Sequence, residues 1–371
     1  MSHSNPILLP EHQRMAAIER ARQAILLGHG AHAAPGLAPD IERSWRRCLT
    51  MGHEPDRPVT FDCISSSNTR RVLDASRPLL KAAAPVVRTL TRAMLHTRYF
   101  AILTNADGVV IDVHGPVDRN DPPAATLARV GIDLSEATVG TTAIGTTLAE
   151  QQSVWLHRGE HFFQDNAVFS CAGAPIWGPD GRCVGMLDLT GVNVVEQPAL
   201  KHLVTQSARS IENALTLAQP HRLLLRLNWP GRVLGDDNDG LVCLDADGYI
   251  TGMNRPAIEM LCASPETMQA HADSVFALSC ADLFDAASQH RGAFEVPLWS
   301  GLRLLALAQP HTAGQLGQHA SGHGVPLKDH EISLIRKAVE DAQGNVGAAA
   351  RALGISRATV YRRLQTKRSG H

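Results

Sequence analysis

The C-terminal part of the chain contains the stretch Asn345-Val-Gly-Ala-Ala-Ala-Arg-Ala-Leu-Gly-Ile-Ser-Arg-Ala-Thr-Val-Tyr-Arg-Arg-Leu364. Its small and apolar residues recur at helical spacing on both sides of Gly354, where the chain can turn tightly. Ser356 belongs to a residue type that is preferred at helix N-caps. The pattern predicts three short helices separated by tight turns, over residues 331–342, 346–353 and 357–367.

The third predicted helix carries apolar residues on one side and polar or basic residues on the other. A helix that reads the major groove of DNA is built this way, with polar N-terminal residues facing base edges and arginines facing phosphates. An inert helical hairpin is disfavoured, because spacing, turn residues and charge all agree. The residues assigned to DNA contact are Asn345, Ser356, Arg357, Thr359, Tyr361, Arg362 and Arg363.

Charge is distributed unevenly along the chain. Residues 331–371 contain eight Lys/Arg and three Asp/Glu, although the whole chain has a net charge of −1. A cationic segment on a mildly acidic body favours a polyanionic partner. A solvated basic terminus would have the same composition, so charge alone does not decide between the two.

Length and composition restrict the class of protein. The chain has 371 residues, of which 44% are hydrophobic and 19% charged, so we expect two to four folded domains. No apolar run of about 18 residues and no secretory signal is found, so we expect a cytoplasmic protein that does not span a membrane. No CxxC pair occurs, and free thiols are the expected state of the seven cysteines, which are Cys48, Cys63, Cys171, Cys183, Cys243, Cys262 and Cys280.

The periodicity of apolar residues changes along the chain. Helical spacing covers 11–28, 41–50 and most of 65–97, with Asp40 as a candidate cap and Pro78 and Pro85 as interruptions. The strand-like runs that follow are 99–104, 109–113, 153–157, 168–176 and 183–190. A helix over 196–217 has apolar spacing that fits either a coiled-coil seam for dimerisation or one side of an ordinary packed helix.

A second strand–turn–strand unit begins at Leu241, turns at Asp247-Gly248 and is followed by a helix over 256–263. Alternating strand-like runs then reach Ala308. Residues 310–326 contain four Gly and three His without apolar period, which is typical of a flexible linker.

The middle of the chain resembles the sensory region of the acetoin-catabolism and dihydroxyacetone-kinase operon activators, a group that contains a GAF domain. The matching runs are 131–148, Gly159-Glu-His161, Phe169-Ser-Cys-Ala-Gly-Ala-Pro-Ile176 and Gly185-Met-Leu-Asp-Leu-Thr190. Thr142 stands where relatives usually carry Asn. The run Ile41-Glu-Arg-Ser-Trp-Arg-Arg-Cys48 also looks like the helix that precedes this domain in the group.

Two further segments extend the resemblance. Residues 241–309 are similar to a PAS domain, and the stretch that ends at Leu364 resembles the Fis-type helix-turn-helix family. Full-length members of the group place an AAA+ ATPase between sensor and DNA-binding domain. Here no lysine follows a glycine, which excludes a Walker A loop, and the GAFTGA loop that contacts sigma-54 is missing.

Candidate binding residues in the sensor are Trp155, Phe169 and Cys171, which could line a pocket for a small, largely neutral organic effector between the sheet and residues 131–148. The plain alternative is that they are core residues. His157 and His161 are four residues apart, but Gly159 interrupts any helix there, so a metal site is disfavoured. We expect no metal, no cofactor and no enzymatic activity, since the cysteine spacing does not support a sulfoxide reductase on this scaffold.

These observations predict a multidomain α+β protein with a GAF-type antiparallel sheet, a PAS-like domain and a C-terminal three-helix Fis-type helix-turn-helix. The predicted function is a bacterial transcriptional regulator, a homodimer that binds operator DNA under control of an effector and contacts RNA polymerase or a partner activator. The alternative is a signalling adaptor that pairs with a full-length sigma-54-dependent activator. The predicted domains are a helical region 1–97, a GAF sensor 98–217, a PAS-like domain 230–309, a linker 310–327 and a helix-turn-helix 328–371.

Overall fold

The computed structural model describes residues 11–26 and 37–311, together with Val346. The seven residues assigned to DNA contact therefore lie outside the described residues. The α-helices within the described part are α1 (Glu11–Leu26), α2 (Pro39–Thr50), α3 (Ser66–Ala75), α4 (Arg77–Ala93), α5 (Pro122–Leu127), α6 (Glu136–Val139), α7 (Ala143–Glu150), α8 (Leu200–Leu217), α9 (Arg255–Leu261), α10 (Ala272–Val275) and α11 (Cys280–Ser288).

The strands alternate with these helices in an α+β arrangement, as the sequence predicted. They are β1 (Tyr99–Asn105), β2 (Val110–His114), β3 (Val154–His157), β4 (Phe169–Trp177), β5 (Cys183–Val192), β6 (Leu223–Asn228), β7 (Gly240–Leu244), β8 (Ile250–Met253), β9 (Phe294–Pro297) and β10 (Arg303–Pro310). They form two five-stranded antiparallel sheets, in the orders β2-β1-β5-β4-β3 and β8-β7-β6-β10-β9. Among the described helices, none is long and apolar enough to cross a membrane.

The first sheet is covered on both faces, so its central strands are apolar at nearly every position. One face packs against α1, α2 and α7 through side chains such as Trp45, Phe100 and Ile144. The opposite face packs against α4 and α8 through side chains such as Leu90 and Ile211. Each strand therefore sends alternate residues into two separate cores.

The second sheet begins at Leu223, seven residues before the predicted domain start at residue 230. Its central strand β6 pairs with both β7 and β10. One face packs against α9 and α11 through residues such as Leu283 and Met253. The other face meets the end of α8 at Leu217. Helix α8 consequently packs against both sheets.

Three local predictions are corrected by the structure. The N-cap of α2 is Ala38, and Asp40 lies in the first turn, where its carboxylate accepts the Ile41 N–H at 3.1 Å. The break between α3 and α4 falls at Ser76, and Pro85 lies inside α4. A proline there removes one helical hydrogen bond, but the helix buries a long apolar face against the sheet, which offsets that loss. Residues 280–288, within the predicted strand-like runs, form helix α11.

Candidate functional site

A cavity lies between the central strands of the first sheet and the segment that leads into α7. Its volume is about 20 Å³. In this conformation the cavity therefore holds about one water, and a larger guest needs its wall to move. The lining residues are Phe61, Ile102, Leu127, Leu134, Thr142, Ala143, Ile144, His161, Asn166, Phe169, Cys171, Asp188 and Thr190.

The sheet wall of the cavity follows from strand periodicity. Phe169 and Cys171 are two residues apart on β4, and Asp188 and Thr190 are two apart on β5, so each pair faces the same side. Asp188 lies in the middle of the central strand, opposite Ile102 of β1. A carboxyl group is thus placed at the centre of the sheet, on its cavity side.

The opposite wall is built from the segment 134–144. Thr142 caps α7, since its hydroxyl oxygen accepts the Gly145 N–H at 3.1 Å. Gly140, just before the cap, has a φ of +67°, and a Cβ there would lie 2.7 Å from the ring of Phe163. Only glycine fits this conformation and this contact without strain. The wall predicted at 131–148 is therefore present.

Asp188 is the most unusual group in the cavity, because its side chain is fully buried. The Thr190 hydroxyl donates a hydrogen bond to its Oδ2. Among the described residues, Oδ1 has no hydrogen-bond partner. Burial raises the pKa of Asp188 to about 7, since an ionised carboxylate is disfavoured away from water.

Asn166 supplies a second buried acceptor. Its Nδ2 donates to the carbonyl oxygen of Val139 at 3.1 Å, which fixes the orientation of the amide. Its Oδ1 has no partner among the residues that the structure describes. The cavity therefore has two buried side-chain oxygens without a donor.

His161 and Cys171 complete the polar lining. The Nδ1–H of His161 donates to the Arg158 carbonyl at 2.8 Å, which leaves Nε2 as an acceptor, 3.9 Å from the Cys171 sulfur. Burial lowers the pKa of His161 to about 4, so the ring is neutral at physiological pH. Burial raises the pKa of the Cys171 thiol, so the sulfur is a protonated, weak nucleophile. These groups are suited to binding.

The N-terminal helices hold the loop that carries His161. Arg14 of α1 donates to both carboxylate oxygens of the buried Glu160 at 2.8 Å. The Arg22 guanidinium donates to the carbonyl oxygens of His161 at 2.7 Å and Phe162 at 3.0 Å. Trp45 of α2 donates its indole N–H to the carbonyl of Glu160 at 2.8 Å. The loop therefore has a fixed position relative to both helices.

Helix α2 also holds the opposite wall. Arg47 donates to Glu136 of α6 and to Glu150 of α7, each at 2.6 Å. Ser44 donates to Glu136 and lies 2.7 Å from the Thr141 hydroxyl. These contacts tie both ends of the segment 136–150 to α2, so displacement of that wall would strain this network.

The strands of the cavity continue into a contact with the second sheet. Glu212 of α8 accepts the backbone N–H of Trp177, at the end of β4, at 3.1 Å, and burial raises the pKa of Glu212 to about 7. The Arg255 guanidinium of α9 lies 4.6 Å from the centre of the Trp177 ring. In the next turn, the carbonyl of Pro179 accepts the N–H of Met253 at 2.9 Å.

The three predicted binding residues separate into two groups. Phe169 and Cys171 line the cavity, whereas Trp155 does not, because its side chain packs on the opposite face of the sheet. Its strand neighbours Val154 and Leu156 face the cavity side instead. An apolar strand gives no sign of which residues face which core, so the sequence could not decide this.

Asp188 and Asn166 were not predicted as binding residues. Asp188 stands between Leu187 and Leu189 in an otherwise apolar strand, and an isolated carboxylate in such a run is a signal that could have identified it. Asn166 lies in a short 3-10 helix, Gln164–Val168, where the sequence has no comparable signal. Within residues 11–26 and 37–311, no group of three or more His, Cys, Asp or Glu side chains is placed to hold a metal ion.

Two segments of the chain match models of known protein families. The family model described as "MimR, N-terminal domain" matches residues 15–213, and the model described as "Bacterial regulatory protein, Fis family" matches residues 326–366. The cavity lies in the first segment, and the residues assigned to DNA contact lie in the second.

Several curated relatives match the chain over part of their length. A signal-transduction and transcriptional-control protein of Clostridium beijerinckii is 26% identical over 60% of this chain and 35% of its own. The acetoin catabolism regulatory protein of Cupriavidus necator is 28% identical over 78% and 43%. The propane 2-monooxygenase operon transcriptional activator MimR of Mycolicibacterium goodii is 32% identical over 53% and 33%. The chain thus spans less than half the length of these relatives.

The crystal structure of the E. coli DhaR(N)–DhaL complex is a structural neighbour. It has a TM-score of 0.46 and 14% sequence identity, and the match covers 74% of this chain and 100% of that chain.

Proposed function

The chain belongs to the MimR N-terminal domain family and carries a Fis-family segment, and from this premise we propose that it is a transcriptional regulator controlled by a small molecule. The observation that carries the proposal is the presence of both segments in one chain, with a buried cavity inside the first. The ligand binds in that cavity, and the Fis-type segment binds operator DNA. The protein acts in the cytoplasm.

The DNA-binding half of the proposal rests on residues 345–364. Ser356, Arg357 and Thr359 open the recognition helix and contact bases, while Arg362 and Arg363 contact phosphates. Asn345 and Tyr361 support the same surface. A single recognition helix covers only a few base pairs, so a homodimer on two half-sites is the form that gives specific affinity.

We assign the domain boundaries from the two sheets. The first sheet with α8 is the GAF-type sensor, residues 98–217. The second sheet is a PAS-like domain up to residue 309, which includes β6 from Leu223 onward. Residues 310–327 are the linker, and residues 328–371 are the three-helix DNA-binding domain.

The interval between the second sheet and the Fis-family match is short. Strand β10 ends at Pro310, and the match begins at residue 326. This interval has no room for an ATPase domain, which supports a regulator that does not hydrolyse ATP. Such a protein acts on RNA polymerase by contact or occlusion, or together with a partner activator.

The ligand acts on DNA binding through α8. Opening the cavity moves β4 and the segment 136–150, and β4 is bonded to α8 through Trp177 and Glu212. Helix α8 packs on both sheets, so its displacement reaches the second sheet, from which the chain continues to the Fis-type segment. A ligand shifts this equilibrium only by its difference in affinity for the two states.

The test is selection of genomic fragments by the purified full chain, followed by footprinting. The proposal predicts one or a few enriched sites with two half-sites about 34 Å apart. The matched control is the chain that ends at residue 325, checked for an unchanged melting curve, which should retain no site. Retention of no fragment by the full chain, with capture of an ATPase-bearing activator, would instead support the adaptor alternative.

A further inference from the structure

We infer that the cavity selects a small neutral molecule that donates hydrogen bonds through hydroxyl groups, with Asp188 Oδ1 and Asn166 Oδ1 as the acceptors. The inference deepens the proposed function, on which it depends for its regulatory meaning. It stands on the two buried oxygens without donors and on the chemistry of the groups around them.

Asp188 is costly to bury in the empty protein. A fully buried polar oxygen without a partner destabilises the folded state, and a hydrogen bond restores much of that loss. The carboxyl group lies on the central strand of a sheet, where an apolar side chain would pack without this cost. A ligand that donates a hydrogen bond to Oδ1 would remove this cost, which explains why a carboxyl group occupies this position.

Asn166 adds a second acceptor of fixed orientation. Because its Nδ2 is bonded to the Val139 carbonyl, the amide cannot turn to present a donor without losing that bond. His161 Nε2, the third acceptor, lies 3.9 Å from the Cys171 thiol, which serves as its donor. The acceptors left without a donor are therefore Asn166 Oδ1 and, when the carboxyl group is ionised, Asp188 Oδ1.

This pattern separates classes of ligand. Carboxylates and phosphates bring only further acceptors and negative charge toward Asp188, which is the only carboxylate among the lining residues that the structure describes. A ketone without a hydroxyl group brings no donor. Hydroxyl groups match both oxygens directly.

The surroundings favour a neutral donor over an ammonium group. Most wall residues are apolar, including Phe61, Leu134 and Phe169, and they would desolvate an ammonium ion at high cost. A short diol avoids this cost.

The test measures binding of matched four-carbon probes to the full chain by calorimetry and thermal shift at pH 8, where Asp188 is ionised. The probes are 1,2-, 1,3- and 1,4-butanediol, with butanone, 1,4-diaminobutane and butanedioate for comparison. At least one diol should bind about tenfold or more tightly than each of the other three. Equal or tighter binding of the ketone, the diamine or the dianion would overturn the inference, as would binding of none of the probes.

The decisive variant is Asp188→Asn. Thr190 donates to Oδ2, so the new side chain keeps its oxygen there and presents its NH₂ where Oδ1 was. This replaces an acceptor by a donor, and the variant should lose diol affinity by about tenfold or more while gaining affinity for butanone. Unchanged diol affinity in Asp188→Asn would overturn the inference. The gain in affinity for butanone distinguishes the loss of an acceptor from a general packing defect, because such a defect would weaken binding of every probe.

Asp239→Asn is the matched control. Asp239 is also a buried carboxyl whose pKa is raised by burial, but it lies outside the cavity and beside the second sheet, so this variant should bind diols like the unaltered chain. If diols bind through Asp188 and DNA affinity does not respond, the ligand class stands and the proposed regulation fails. The two claims are thus tested separately.

Discussion

The side-chain amide of Asn254 donates a 2.8 Å hydrogen bond to the side-chain oxygen of Asn213, and both residues are buried. Asn213 lies on α8, which packs against the first sheet. Asn254 is the N-cap of α9, and its oxygen accepts the N–H of Ala257 at 3.0 Å and of Leu241 at 2.8 Å. One pair of amides therefore connects the helix of the first sheet to a strand and a helix of the second.

Asn213→Ala should weaken communication between the two sheets. It leaves the Asn254 amide without this partner and is expected to cost about 1–3 kcal/mol of stability. Ligand affinity should stay unchanged, while the effect of ligand on DNA affinity falls. Calorimetry with DNA titration checks this, with the exposed Asn120→Ala as control. Full ligand response in Asn213→Ala would exclude this pair from the coupling path.

Two arginines of the Fis-type segment should have different roles. Arg357→Ala should reduce discrimination between operator and random DNA by about 1–3 kcal/mol, because a bidentate contact to guanine is lost. Arg363→Ala should weaken binding to all sequences alike and reduce the salt slope by about one, because a phosphate contact is lost. DNA titrations of both variants at several salt concentrations, with operator and with random DNA, distinguish the two roles. Identical salt slopes and identical losses of discrimination in the two variants would contradict the assignment.

Stability should fall as the pH rises from about 4 to about 7. The pKa of Asp188 is about 7 in the folded chain, against an ordinary value of 3.8. The unfolded chain loses this proton first, so the contribution to stability is fully present below about pH 3.8, declines as the pH rises from there, and is lost above about pH 7. The full loss approaches roughly 4 kcal/mol. Glu212, whose pKa burial also raises to about 7, adds a change of the same sign.

Urea unfolding of the unaltered chain and of Asp188→Asn at pH 5, 6, 7 and 8 measures this contribution. The variant should be the more stable of the two at pH 8, because it cannot ionise, and its stability should vary less with pH. Parallel pH profiles for the two proteins would show that Asp188 does not titrate in this range.

The chain should neither hydrolyse ATP nor activate a sigma-54 promoter by itself. Open-complex formation at such promoters needs mechanical work from an ATPase, and this sequence has no lysine placed to contact a β/γ-phosphate. Phosphate release and reconstituted transcription are the measurements. A transcript from a sigma-54 promoter with this protein as sole activator would refute the expectation.

Much of the first sheet could be predicted from the sequence. Strands β4 and β5 fall within two residues of the predicted runs, because apolar segments are bounded there by the turn residues Gly178-Pro-Asp-Gly181. Strand β6 was not predicted, since a run of leucines fits a buried helix as well as a buried strand. Helix α11 was missed for a related reason: its short apolar pattern also fits strands.

The position of the cavity could be predicted from the sequence, but the polar groups that line it could not. The glycines and the Thr142 cap of the 131–148 segment indicate close backbone packing, which the structure has at Gly140. Asp188 and Asn166 line one cavity because a loop 22 residues earlier in the chain folds onto the sheet. Such proximity is set by tertiary packing, which local periodicity does not specify.

The proposed regulation requires that a ligand in the cavity changes DNA binding by the Fis-type segment. We would measure the Kd of the full chain for its selected site, with and without a saturating concentration of the butanediol that binds most tightly. We expect a change of about 5–150-fold, an equal reciprocal change in ligand affinity when DNA is bound, and loss of both in Asp188→Asn. An unchanged Kd for DNA at saturating ligand, or normal operator binding by the chain that ends at residue 325, would contradict it.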